Sequence, residues 1–274
     1  MKSLAIALCV ILTLFSCKKQ SGGSTDPELL LSDVSKGGLL EYRFLYNGDN
    51  LVTKLEYYPA DPTDNSLSGY VNFLYNAQKN IQQLVVYQMP NNVPGNKVTI
   101  QYDSAGRLVS ASTFELQGPS PNTAQYTTSY TYNTKGLVIK IVQKNKSNEL
   151  VFQNNLAYYD EGQLKEKQEW VAEGGQLWMK RKTSYSSPNG YYATGLEQLR
   201  VLISADFMAA MHSDAISFLD YSQAGVIVKS RSEIMSAREY NPDGSLKKQV
   251  ITYKYIKPED DDKVYVREYK YLNQ

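Results

Sequence analysis

The chain has 274 residues, with 29 Lys and Arg against 28 Asp and Glu, 42% hydrophobic residues and 23 tyrosines. So even a charge balance excludes a nucleic-acid or anionic-surface binder that works by bulk electrostatics. A single histidine excludes a multi-histidine metal site.

Lys2 and the apolar run from Leu4 to Phe15 lead into Leu14-Phe15-Ser16-Cys17. A charged start, a dozen apolar residues and a small residue before a cysteine are the order of a secretory leader, and the run is too short to span a bilayer. Residues 14–17 resemble a lipobox, although Phe15 stands where a small residue is usual. The resemblance implies cleavage after residue 16 and lipidation of Cys17; the alternative is an ordinary leader with an incidental cysteine. Removing residues 1–16 also removes Cys9, leaving the mature domain no thiol for a disulfide. Residues 17–28 read as the lipidated cysteine and a polar, Gly- and Ser-containing tether. Residues 29–274 read as a single β domain. The membrane, reached through the lipid, is the first expected partner, at the outer membrane on its periplasmic or its surface face.

The tyrosines mark a period. Tyr46-Asn47-Gly48-Asp49-Asn50-Leu51, Tyr75 to Ile81 and Tyr102-Asp103-Ser104-Ala105-Gly106-Arg107-Leu108 share one frame: tyrosine, Asn or Asp, a few polar residues, then Leu or Ile. Tyr132 to Leu137, Tyr159 to Leu164 and Tyr240 to Leu246 repeat it, and Tyr185 to Gly190 and Tyr221 to Val226 fit loosely. From Tyr46 to Tyr159 the steps are 29, 27, 30 and 27 residues, and the 81 residues to Tyr240 would hold three more periods. A fixed period over most of a chain means stacked supersecondary units. Asn241-Pro242-Asp243-Gly244 is turn chemistry, with a β-bulge expected at the glycine. Strands flank the turns, and alternation puts Leu51, Thr53, Leu55 and Tyr57 together on the face expected to be buried, and likewise Leu246, Lys248, Val250 and Thr252. Between residues 195 and 212, Leu196, Leu199, Ile203, Phe207 and Ala210 recur at helical spacing, with a second short turn through Phe218. This predicts a helical insertion at about 195–218, either covering the sheet or connecting two sheets. The expected fold is therefore mainly β, an antiparallel repeat-built meander sheet, curled or half-closed as a half-barrel, with that insertion.

The frame Tyr-Asp-x-x-Gly-Arg-Leu, present as Tyr102 to Leu108, resembles the YD repeat of Rhs-type proteins. With the lipobox and the late insertion, the chain resembles an uncharacterised group of Bacteroidota lipoprotein domains over roughly residues 40–272. The first two copies depart from the frame at the glycine. Rhs proteins build closed shells from many more copies, so a short array implies the sheet and not the shell.

Chemistry is sparse. No Gly-x-Ser-x-Gly elbow, Walker loop or dinucleotide fingerprint is present, so no catalytic residue, metal ligand or cofactor is assigned. His212 ends the expected helix, where a cation suits the dipole. Ser245-Leu246-Lys247-Lys248 fits Ser-x-x-Lys but lies at a turn, and Glu259-Asp260-Asp261-Asp262 reads as a solvated hairpin loop rather than a calcium site. Trp170 and Trp178 flank an expected turn at Gly174-Gly175 and offer flat faces for stacking on a sugar ring; the alternative is cross-strand pairing. The expectation is a non-enzymatic envelope lipoprotein with a binding or scaffold role, its partner a glycan or an envelope protein and not nucleic acid. Two alternatives stand beside it: a glycan-binding protein or hydrolase using carboxylates such as Asp160 and Glu161, and a reduced relative of toxin-enclosing repeat shells.

Overall fold

The structure is a computed structural model that describes residues 30–59, 66–160, 162, 164–186, 214–255 and 263–272. Among these residues the chain forms sixteen strands and no helix. They are β1 (Leu31–Lys36), β2 (Leu39–Tyr46), β3 (Val52–Tyr57), β4 (Gly69–Tyr75), β5 (Ile81–Gln88), β6 (Val93–Tyr102), β7 (Leu108–Glu115) and β8 (Tyr126–Tyr132). The second half comprises β9 (Val138–Asn145), β10 (Leu150–Tyr158), β11 (Leu164–Glu173), β12 (Gln176–Tyr185), β13 (Ala215–Tyr221), β14 (Ile227–Tyr240), β15 (Leu246–Tyr255) and β16 (Lys263–Tyr271). Each strand pairs antiparallel with the next, and β1 pairs with β16, so the sheet is a closed barrel.

Closure corrects the expectation of a curled or half-closed sheet. The joining ladder runs through Val34↔Tyr269 and Lys36↔Arg267, and the Leu272 amide donates to the Leu30 carbonyl at 2.9 Å. An open meander would leave both outer strands with unpaired backbone groups, and closure removes both edges. The helical insertion is corrected where it is described: Ala215–Tyr221 is β13, with Ile216 and Phe218 buried and Ser217 exposed between them, a period of two. A short apolar run does not distinguish strand from helix, and here sheet pairing decides it. Residues 195–212, including His212, lie outside the described residues, as do Cys17, the tether and residues 259–262.

The six clear copies of the frame are six hairpins at one end of the barrel, the near rim. In the third, the Asp103 carboxylate Oδ1 accepts the amides of Ala105 at 2.9 Å and Arg107 at 2.8 Å, while Gly106 takes φ +75°. Tyr102 then pairs with Leu108, and Val109 is left over as a bulge. Asn47, Asn76 and Asn133 accept the same two amides in their own turns. Asn and Asp suit this place because their short side-chain oxygens reach the backbone two and four residues on. The first two copies keep the geometry without glycine, since Asn50 and Lys79 each take φ +60°.

Lys79 is the costlier of these, because a long side chain gains no local hydrogen bond in the left-handed region. Its ion pair with Asp49, at 3.3 Å with both side chains 60% exposed, offsets little. Lys79→Gly is expected to raise unfolding stability by about 0.5–1 kcal/mol, read as a higher urea midpoint at unchanged slope. A lower midpoint would show that the exposed ion pair outweighs the backbone strain.

Three details of the period change. In the fifth unit the in-frame tyrosine is Tyr158, paired with Leu164, and Tyr159 fills the Asx place. The stretch to Tyr240 holds two hairpin periods rather than three, because the connection between β12 and β13 includes residues 187–213. The Tyr221 copy does form the turn, with Gly225 at φ +78°, but at the opposite end, the far rim. Asn145 makes the same turn at the far rim with neither tyrosine nor glycine, using Asn148 at φ +64°.

Inner-face residues from all sixteen strands form one apolar cluster, among them Leu31, Val52, Val98, Val138, Leu246 and Ile251 at 0% exposure. The bulges shift the faces assigned by simple alternation. Val52 and Leu55 face inward, not Thr53, and Leu246, Gln249 and Ile251 face inward while Lys248 lies on the other face. One extra residue in a strand flips every side chain beyond it.

Candidate binding surface on the inner wall

The in-phase tyrosines have a structural task. The Tyr75 hydroxyl donates to the Val52 carbonyl at 2.7 Å, Tyr102 to Ile81 at 2.9 Å, Tyr132 to Leu108 at 2.7 Å and Tyr158 to Val138 at 2.7 Å. Tyr46 to Leu31 and Tyr271 to Leu246 complete the pattern at 2.7 and 3.2 Å. Each acceptor opens an outgoing strand beside its bulge, where the ladder to the next unit has stopped, as at Lys54↔Asn72 for Val52. A buried carbonyl there needs a partner, and the next unit's tyrosine supplies it.

Farther from the near rim, the inner wall turns polar. Asn96, Thr113, Thr128, Gln143, Asn154, Lys167 and Thr183 place one buried polar residue on each strand from β6 to β12, and Glu233, Gln249 and Arg267 continue on β14 to β16. Fully buried polar and charged residues are rare unless paired. Gln143 donates to Thr128 Oγ1 at 3.3 Å, and Tyr269 donates to Gln249 Oε1 at 2.6 Å.

Two ionic groups stand out. At the β16–β1–β2 seam, Arg267 Nη2 lies 3.1 Å from Glu41 Oε2 and 3.5 Å from Oε1, with side-chain exposures of 10% and 22%. Lys36 Nζ sits 4.1 Å above the Tyr265 ring; burial lowers its pKa, against the opposing pull of Glu41. On β11 and β12, Lys167 Nζ lies 3.7 Å from Glu169 Oε2, and Arg181 pairs with Asp220 of β13. Lys167 is the bulkiest of the fully buried side chains, at 2% exposure. Around this second group, Asn154 Oδ1 and Thr183 Oγ1 are buried without a hydrogen-bond partner.

The strands put Trp170 and Trp178 where the sequence expected them, on either side of the turn at Gly174–Gly175. Register separates them, however. Trp178 lies opposite Val171, which alternates with Glu169 and Lys167 onto the inner wall, whereas Trp170 lies opposite Met179 on the other face. The two rings therefore cannot form one stacking platform. Both indole Nε1 atoms are buried without a partner. Ser245 is engaged in its turn, accepting from Asn241 at 2.8 Å, and Lys248 lies 3.8 Å from Glu239. Asp160 is exposed in a near-rim turn, and Glu161 lies outside the described residues. Among the described residues no group of three His, Cys, Asp or Glu is placed to hold a metal ion. Composition gave no sign of the polar inner wall, because its residues alternate with equally polar outward neighbours such as Lys165, Glu166 and Gln168.

No known family matches the chain, and no curated protein does. Among solved structures it is similar to a porin-like protein of Bacteroides uniformis, at 11% identity over 84% of this chain and 90% of that one, with a TM-score of 0.50. It is also similar to a porin-like protein of Bacteroides vulgatus, at 10% identity over 90% of this chain and all of that one, with a TM-score of 0.41. A Tc holotoxin pore structure of Photorhabdus luminescens matches at 14% identity over 86% of this chain but 14% of its own, with a TM-score of 0.31. The first of these likenesses is one of fold; the other two, at their TM-scores, carry no argument.

Proposed function

We propose that the chain is a non-enzymatic lipoprotein barrel, tethered to the outer membrane through Cys17 and standing in water, where it serves as a binding body for an envelope or glycan partner. The observation that carries this reading is the polarity of the wall. A transmembrane barrel is apolar outside and polar inside, with strands of about 9–11 residues. Here the outward residues of β8 are Thr127, Ser129 and Thr131, and the outer face carries the pairs Lys54–Glu56 at 2.8 Å, Glu166–Lys182 at 2.7 Å and Asp33–Arg43 at 2.9 Å. Of the exposed aliphatics, Leu45 and Leu74 sit singly beside Lys54 and Gln83, and the consecutive Val226, Ile227 and Val228 lie at the far-rim turn into β14 rather than in a band around the barrel. Strands β1 and β3 have 6 residues each, too short for a hydrocarbon core.

Membrane attachment then rests on the lipid alone. The Cys17→Ser chain, expressed behind a secretory leader whose cleavage needs no lipidation in place of residues 1–16, is expected to move from the membrane fraction to the soluble periplasmic fraction while keeping its β-sheet circular dichroism. A folded Cys17→Ser chain that stays with the membrane through a carbonate wash would mean that the barrel itself holds lipid, and would end this reading.

A further inference from the structure

One sector of the outer wall departs from the rest. On β8 the outward residues are threonine and serine, and β11 and β12 carry the outward ion pair Glu166–Lys182. At the far-rim end of β11 to β14 the outward residues are instead apolar. Trp170 lies opposite Met179 and Ala172 opposite Leu177 across β11 and β12. On β13, Phe218 is buried and Asp220 shares its face, so Tyr221 and the Ile227 opposite it point outward. Asp220 is the partner of Arg181, which places Tyr221 beside the end of the β12 row. Neighbouring strands stand about 4.8 Å apart, so these six side chains form one patch. Leu177 is 40% exposed and Ile227 53%, and the flanking Val226 and Val228 are 62% and 55% exposed. Single exposed aliphatics are ordinary, whereas a contiguous exposed group of them marks a contact with another molecule.

The charges at the ends of the patch narrow what covers it. Glu173, at the tip of the β11–β12 hairpin, and Lys180, the extra residue between Met179 and Arg181, are both exposed, and neither has an ion-pair partner among the described residues. Glu173 stands opposite Gln176, four residues from Lys180, so acid and base lie about 13 Å apart along the strands at about 3.3 Å per residue. The midpoint falls at the level of Trp178, between Leu177 and Met179 on the outward face. A second copy of the hairpin, laid antiparallel over the first about a two-fold axis at that level, sets Glu173 against Lys180 of the second copy and Leu177 against its Met179, and the reverse. One patch thus carries both halves of an isologous contact, the form that most homo-oligomers take. An anionic lipid surface would select cations alone around the patch, and Glu173 at the tip opposes it.

We infer that the far-rim outer face of β11 to β14 is a homodimer interface, in which the β11–β12 hairpins of two copies pack antiparallel across Leu177 and Met179. Its small apolar centre places the dimer among the weak, reversible ones. The inference goes beyond the tethered barrel and rests neither on the lipid nor on the envelope or glycan partner.

The test uses the full-length protein with detergent micelles in large excess, so that shared micelles do not mimic a dimer, and follows the monomer–dimer equilibrium by sedimentation velocity. Wild type should pass from monomer to dimer between about 1 and 100 µM. Leu177→Asp and Ile227→Asp should each weaken dimerisation about tenfold or more, with Tm held within about 2 °C because both side chains are exposed. Lys180→Glu and Glu173→Lys should each weaken it about fivefold or more, since each change sets like charges together at two symmetric places. The chain carrying both exchanges should return to within about twofold of wild type, because opposite charges meet again across the axis. Three results would overturn the inference: a monomer at every concentration up to about 100 µM, dimerisation unaffected by Leu177→Asp and Ile227→Asp, or a double exchange that dimerises no more tightly than the single ones. The first would leave the patch to a partner of another kind. None of these bears on whether Cys17→Ser releases the protein from the membrane, so this inference can fail while the tethered barrel stands.

Discussion

Arg267→Met is expected to lower unfolding stability by about 3 kcal/mol, the low end of the range for a buried pair, because Glu41 keeps 22% of its side chain exposed once its cation is gone. Arg267 is 9% exposed on β16, between Gln249 of β15 and Lys36 of β1, and its guanidinium reaches Glu41 on β2. The pair thus bridges the seam where the last strand meets the first two. Methionine fills much of the volume of the arginine stem, so the loss is electrostatic rather than a cavity. Adding Glu41→Gln removes the stranded charge, and the double variant should recover most of the loss. Urea denaturation of wild type, both singles and the double gives the coupling directly. A double variant no more stable than Arg267→Met would mean that the arginine acts through packing, and a single-variant loss under about 1 kcal/mol would mean that water already screens the pair.

How much of this fold is legible in the sequence depends on how local each feature is. The hairpins are, because the whole device fits within seven residues, from Tyr102 to Leu108, and its Asx and glycine places have one conformation each. Closure is not. The pairing of Val34 with Tyr269 joins strands at opposite ends of the chain, and no local pattern distinguishes a strand that will meet its far partner from one that will remain an edge. The faces were half legible. Alternation located strands correctly, but a bulge beside each tyrosine–aliphatic pair shifts the register by one residue, which is why Thr53 and Lys248 were placed with the apolar set.

The inner polar wall was illegible for a related reason. In Leu164-Lys165-Glu166-Lys167-Gln168-Glu169 both faces of the strand carry charge, so composition does not say which lysine is solvated. Only the register, with Lys167 opposite Leu156 and Thr183, shows that it faces inward. The tryptophans are the opposite case. Their assignment to opposite faces follows from the turn itself: Trp170 stands four residues before Gly174 and Trp178 three after Gly175, so the hairpin pairs Trp178 with Val171 and leaves Trp170 on the alternate face.

The tyrosines carry the other large prediction. Removing the hydroxyls of Tyr75, Tyr102 and Tyr132 together, as phenylalanines, is expected to cost about 1–3 kcal/mol each, because every change strands one buried carbonyl beside a bulge. The rings stay, so the apolar cluster loses no volume. Burial pushes the Tyr102 and Tyr132 hydroxyls up to about 12, so both remain donors at any pH where the protein would work. The sum approaches the whole stability of an ordinary domain, about 5–15 kcal/mol, so the triple variant should be largely unfolded in mild urea while each single variant folds. Tyr70→Phe is the control: its hydroxyl meets Asn92 at 2.6 Å in an exposed contact on the outer face, and its loss should change stability by under about 0.5 kcal/mol. If the three latches together cost no more than that control, the tyrosines hold the repeat through their rings alone, and the regular hydroxyl-to-carbonyl pattern would be a consequence of the fold rather than one of its causes.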